Sequence, residues 1–241
     1  MSVAKDELDK LNSCRSGDAC TTPLLFSKKM HLLKISSLER LVEEKELIGQ
    51  TRIDAMLELA DRYHHGIGGA KLDSKAASQL FISAAKLGDK YSKAICLQYG
   101  YGCEKGDRKA FKLFEELTRE GIINIKAEFA LGLMYITGGA GIERDNMKAF
   151  RLFQNAAKGY APAQYYLGKC YRDNVCVDEN GQPMGKKERD IRALELYRQA
   201  EAQKYPLAIS GLKDEEMISD LRGVAQNESL KTSGLPPRLN A

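Results

Sequence analysis

Residues 127–138 decide the fold: Ala127-Glu-Phe-Ala-Leu131-Gly132-Leu-Met-Tyr135-Ile-Thr-Gly138. An aliphatic residue, a small residue and a tyrosine at i, i+1 and i+4 lie on one side of a helix. A glycine three residues later takes a positive φ without strain and ends it. The same phrase is written four times. Tyr63, Tyr99, Tyr135 and Tyr171 stand 36 residues apart, with Leu59, Ile95, Leu131 and Leu167 four before them. Ala60, Cys96, Gly132 and Gly168 come three before, and Gly66, Gly102, Gly138 and Asn174 three after. Self-similarity at such a period marks a stack of supersecondary units rather than one irregular core.

A second helical phrase follows each first one. Its copies start at Ala77, Ala110, Ala149 and Ala193 and place alanine, leucine, an aromatic, and alanine or leucine at i, i+3, i+4 and i+7, the stripe of a half-buried helix. Gly88, Gly121 and Gly159 close three copies, and Lys204 followed by Pro206 closes the last. From tyrosine to leading alanine the distance is 14, 11, 14 and 22 residues, so the intervening loop absorbs the length variation. The longest version, Val177–Glu188, has the composition of an exposed insertion.

These residues resemble the Sel-one-like repeat (SLR), a variant of the tetratricopeptide α/α repeat. The third copy carries the resemblance best, with Leu131-Gly132, Tyr135, Gly138, Gly141, Asp145, Lys148-Ala149, Ala156-Ala157 and Gly159. The departures are Leu59-Ala60 and Ile95-Cys96 in place of Leu-Gly, a shortened second loop, and no turn glycine in the fourth copy. The resemblance implies an all-α fold, an α/α superhelical solenoid of about four helix pairs spanning 55–90, 91–126, 127–162 and 163–206. Around it, 24–54 reads as an N-terminal capping region, a degenerate half-repeat with Ser36 and Glu39 at capping-box spacing. Residues 207–225 read as a C-terminal capping helix in which Glu216 replaces the tyrosine, because terminal repeats need a polar outer face. Residues 1–23 and 226–241 lack periodicity and read as mobile tails. Tyr135 is expected to pack between its own second helix and the next repeat, and Tyr99 and Tyr171 likewise.

Composition narrows the function. Across 241 residues, 37 Lys+Arg oppose 33 Asp+Glu, a net charge of +4. The basic residues are spread along the chain without the clustered stripe of a nucleic-acid binder. No apolar run approaches the roughly 20 residues that span a bilayer, and no secretory signal is recognisable; the expectation is a cytoplasmic protein with free thiols. Neither the six cysteines nor the three histidines fall at zinc-site spacing. His64-His65 ends the first helix of repeat one and reads as a helix-end pair complementing the dipole, with a metal site shared with Cys96 or Cys103 as the alternative. Ser83-Ala-Ala-Lys86 matches S-x-x-K but lies on a helix stripe with no S-D-N element. Asp178-x-Asn180 lacks both the glycine and the glutamate of a calcium loop. No cofactor, metal or catalytic set is expected.

The resemblance implies a non-enzymatic adaptor or scaffold, as SLR proteins commonly are, binding a protein or peptide partner on the concave face. An obligate structural subunit and a hydrolytic or thiol-based enzyme are the alternatives. Carried over from the tetratricopeptide fold, concave positions include Asp54, Leu57 and Asp61 in repeat one and Lys90, Lys93 and Leu97 in repeat two. Repeat three contributes Lys126, Phe129 and Leu133, and repeat four Tyr165, Lys169 and Arg172. Five of these are basic and surround apolar groups, which suits an extended partner with an acidic segment. No nucleic acid, membrane insertion or small-molecule substrate is expected.

Overall fold

The computed structural model describes residues 30, 32–43, 49–119, 124–175 and 182–212. Ten α-helices follow one another among them. They are α1 (Ile35–Glu43), α2 (Gln50–His65), α3 (Ser74–Lys86), α4 (Lys90–Tyr99), α5 (Asp107–Arg119), α6 (Ile125–Thr137), α7 (Asn146–Ala156), α8 (Ala161–Arg172), α9 (Lys186–Ala202) and α10 (Pro206–Gly211). Apart from these there is a 3-10 turn at Ile67–Gly69 and an isolated bridge between Gly139 and Ile142. Each first helix packs on its own second helix, α2 on α3 through α8 on α9, and each second helix packs on the next first helix. The all-α solenoid is thus a right match to the two helical phrases.

The small residue of each phrase has a direct cause. A Cβ on Gly132 would stand 2.6 Å from the Phe153 ring, and one on Gly168 2.6 Å from the Tyr197 ring. Those rings are the i+4 aromatics of the second helices and are fully buried; the glycines let them lie against the first-helix backbone. In repeats one and three the acidic residue before the second helix is a cap. Asp73 accepts from the Ala76 amide (2.8 Å) and Asp145 from the Lys148 amide (2.9 Å), satisfying donors that the first turn leaves open. The amides of Asp73 and Asp145 donate back to the carbonyls of Tyr63 and Tyr135, both at 3.0 Å. In repeat four the residue at this register is Arg189, whose Nη1 donates to the Tyr171 carbonyl at 3.2 Å.

Several expectations change. The tyrosines pack backward as well as forward: Tyr135 meets Phe111 of the preceding second helix (5.5 Å between centroids) and Tyr171 meets Phe150 in the same way, while both also touch the cluster built from the following second helix. In repeat two the matching position is Ser78, so Tyr99 gains no such partner and is 43% exposed. Tyr171 is buried, while Tyr63 and Tyr135 are half-buried. Helix α1 begins at Ile35, which puts Ser36 within its first turn and removes it from the cap. Helix α9 begins at Lys186, so Lys186, Lys187 and Glu188 are helical and not part of the insertion; residues 177–181 of that insertion lie outside the described residues. So do both tails, Gly121, and the capping segment beyond Leu212, of which α10 is the described beginning.

The backward contact predicts unequal costs. Tyr171→Ala should lose about 3–5 kcal/mol of stability, as buried aromatic truncations do, and Tyr135→Ala somewhat less. Tyr99→Ala should lose about 1 kcal/mol or less. Urea denaturation of the three variants checks the order.

Candidate functional site

The inner side of the solenoid is formed by first helices, and α2 organises it. Asp61 and Glu58 lie one turn apart on α2, and Lys126 reaches them from α6, two repeats away. Its Nζ stands 3.3 Å from Glu58 Oε2 and 3.3 Å from Asp61 Oδ2. Tyr160, at the start of α8, donates its hydroxyl to Asp61 Oδ1 at 2.7 Å. Arg62 continues the network outward: it pairs with Glu58 at 3.0 Å and donates Nη1 to the Leu33 carbonyl at 2.6 Å. Repeat one is therefore tied to the N-terminal half-repeat on one side and to repeats three and four on the other.

A second set of contacts completes this seam. Gly66 takes φ +69°, and Ile67 then packs among Ala161, Ala200, Tyr205 and Ala208 of the fourth repeat and α10. The Gly68 amide donates to the Gln203 carbonyl (3.0 Å), and Gln203 Nε2 donates to the buried Gln164 (2.9 Å). The solenoid thus closes one turn on itself.

Electrostatics follow from burial and pairing. Burial disfavours the Asp61 carboxylate, but Lys126, His65 and the Tyr160 hydroxyl outweigh it and hold its pKa below the usual value. Burial likewise opposes the Lys126 ammonium, and Asp61 and Glu58 reverse that and raise its pKa. His65 lies edge-on to Phe129, Tyr160 and Tyr205, with centroids 5.8–6.4 Å away. Burial pulls its pKa down to about 4, and burial lowers His64 as well. Both rings are neutral near pH 7, which corrects their reading as cations serving the helix dipole. Among the described residues no group of three potential metal ligands exists. Cys96 is a core thiol pushed up to about 11 by burial, and Cys170 is buried as well.

The expected concave residues divide into three groups. Phe129, 3% exposed, and Asp61, 3% exposed, belong to the seam, and Lys126 is held there by its two carboxylates with its side chain 20% exposed. Phe129 and Lys126 are thereby corrected: closing the turn turns these inner positions into an internal interface. Asp54, Leu57, Leu97, Leu133 and Tyr165 are half-buried, Leu133 bordering a small pocket beside His64 and Tyr99 that has room for about one water. Lys90, Lys93, Lys169 and Arg172 are exposed. Glu58, Arg62, Tyr160, Gln164 and Gln203 carry the seam without any sequence signal of their own, because the partners that join them across repeats lie 29–99 residues away.

A closed α/α solenoid of four repeats is the class this geometry defines. The family model for the Sel1 repeat matches residues 53–89, 91–121, 125–159 and 161–205, and the chain belongs to the Sel1 repeat family. It is similar to chitin synthase regulatory factor 3 of Schizosaccharomyces pombe, 27% identical over 167 residues that cover 66% of this chain and 17% of that protein. It is also similar to chitin synthase regulatory factor 1 of the same organism, 33% identical over 56% of this chain and 30% of that protein. The match therefore spans less than a third of the length of either relative. Among solved structures, a protective antigen of uropathogenic Escherichia coli with an SLR fold superposes with a TM-score of 0.46 at 22% identity, covering 78% of this chain and 42% of the other. A Sel1 repeat protein from Oxalobacter formigenes gives 0.42 at 28% identity, covering 56% and 95%.

Two predictions test the seam. Lys126→Met leaves two acidic groups facing each other in a mostly buried site and should cost roughly 3 kcal/mol. Tyr160→Phe should cost about 1–2 kcal/mol through the lost donor to buried Asp61; chemical denaturation checks both. The pH dependence follows from His65, whose folded pKa of about 4 lies below its ordinary value of 6.5. Its contribution to stability is complete above pH 6.5 and is lost as pH falls towards 4. Melting temperature should drop across that window, and His65→Phe should flatten the drop.

Proposed function

We propose that this chain is a non-enzymatic adaptor that holds a protein or peptide segment against the open part of its first helices, with an acidic stretch of the partner meeting the basic residues there. The observation that carries this reading is the exposure of Lys90, Lys93 and Lys169 on α4 and α8, with Leu97 and Leu133 half-buried on the same set of inner-face positions. Charge around an apolar centre selects partners and speeds their encounter. Two supports come from outside the site: Sel1 repeats serve as protein-interaction scaffolds, and both curated relatives are named as regulatory factors. A regulatory subunit that brings its target to another protein is consistent with all of these.

The seam refines what the partner finds. Phe129 and Lys126 are used internally, so the contact surface runs over α4 and the exposed side of α8. Leu97, Lys93 and Lys169 are its expected centre, with Tyr165, Arg172 and Lys90 at its edge.

Charge reversal tests the reading. Tagged chain recovers its partner from cell extract, and the recovered partner is then purified for binding measurements. Lys93→Glu with Lys169→Glu should weaken its binding by at least about tenfold. Lys112→Glu with Arg151→Glu, on second helices, should change it by less than about twofold. Equal effects of the two pairs would remove the inner surface from consideration.

A further inference from the structure

The second helices of repeats two and three carry a concentration of charge that the linear sequence conceals. Relative to the leading alanine of each helix, Ala110 in α5 and Ala149 in α7, cations occupy the same three places. One residue before stand Lys109 and Lys148, two after Lys112 and Arg151, and nine after Arg119 and Lys158. At 100° per residue the places inside the helices fall within about 80° of one another, on the side opposite the buried alanine, and Lys158 stands two residues past the end of α7. All six side chains are exposed. The pattern ends with these repeats, because the matching places are Ala76, Gln79 and Lys86 in repeat one and Arg192, Glu195 and Ala202 in repeat four.

Little on the protein neutralises this patch. Arg119 pairs with Glu115 and Lys148 with its own capping Asp145. Among the described residues no ion pair engages Lys109, Lys112 or Arg151. Glu116 is the one exposed carboxylate within α5 and shares the face of its three cations, and α7 contains no acidic residue. No large apolar side chain is exposed on either helix. Cations 39 residues apart in the chain thus stand at equivalent places on adjacent repeats.

We propose that this outer patch is a docking surface for an anionic lipid bilayer. The patch has cations but no apolar anchor, and a stable protein interface is built around buried apolar or aromatic anchors. It has no exposed aromatic ring on which a base could stack, the usual means of holding single-stranded nucleic acid. A surface of lipid phosphates and carboxylates asks for neither; it attracts unpaired lysines and arginines that reach it together. Contact is at the headgroups, since no described helix is long and apolar enough to cross a membrane. The patch is separate from the inner positions of α4 and α8, so a partner on the first helices and a bilayer on the second helices can be held at once.

The test uses the full chain and sedimentation with phosphatidylcholine vesicles, with and without about 30% phosphatidylserine, in about 0.1 M salt. Binding should require phosphatidylserine and weaken as salt is raised. Lys112→Glu with Arg151→Glu should reduce the apparent affinity by at least about tenfold. Lys93→Glu with Lys169→Glu changes the net charge of the chain equally and should reduce it by less than about twofold. All four residues are exposed, and unchanged melting temperatures show that the variants fold. Equal losses in the two pairs, equal binding to neutral vesicles, or no sedimentation would overturn the proposal. So would tighter binding to a DNA or RNA duplex, or to a polyglutamate peptide, in competition with the vesicles. The partner measurement uses a different ligand and gives the two variant pairs opposite roles, so failure of one reading is distinguishable from failure of the other.

Discussion

The shape of this protein depends on one ammonium group. Lys126 carries a positive charge into the inner side of the solenoid and is stabilised there by Glu58 and Asp61, two repeats earlier in the chain. A lone charge in that place is costly, and so is the pair of carboxylates without it; together, with the Tyr160 hydroxyl and Arg62, they satisfy one another. The mutual requirement fixes how far the superhelix must wind for α2 to meet α6 and α8. Everything on the inner side then follows: Phe129 and His65 become core, and the exposed remainder lies on α4 and α8.

Within each repeat the controlling constraint is steric. A second-helix ring lies so close to the first-helix backbone that glycine is needed beneath Phe153 and Tyr197. Alanine and cysteine occupy the matching places in repeats one and two, where Phe81 and Phe114 are equally buried. The capping aspartates act along the chain. By bonding both the next helix and the preceding tyrosine carbonyl, Asp73 and Asp145 turn a flexible loop into a fixed corner. Where the loop lengthens, in repeat four, Arg189 supplies the same tether from inside an extended helix.

The repeat architecture was legible because its signals are local and recur. Leu131, Gly132 and Tyr135 lie within five residues, and three further copies repeat their message. The backward packing of the tyrosines was less so, because it depends on the residue after the leading alanine of the previous repeat: Phe111 and Phe150 provide a ring, and Ser78 does not. The seam had no local signal. Asp61 and Tyr160 stand 99 residues apart, and nothing in either neighbourhood marks them as partners. Positions transferred from an open tetratricopeptide groove therefore assigned Phe129 and Lys126 to a surface that the closed turn consumes. The outer cations were hidden for the opposite reason: each is unremarkable alone, and only alignment on the leading alanines of α5 and α7 shows that they occupy equivalent places.

Joining the loop of repeat one to the end of repeat four changes the kind of polymer this is. An open solenoid behaves as a row of units coupled to their neighbours alone, able to fray from either end and to gain or lose units by duplication. Here the Gly68–Gln203 and Ile67 contacts make the ends of the row adjacent, so loosening a terminal repeat also breaks its link to the far one. Melting then becomes a property of the ring as a whole, concerted rather than progressive. Repeat number is fixed by the same geometry: one unit more or fewer would carry Gln203 away from Gly68 and leave the carboxylates of α2 without their lysine.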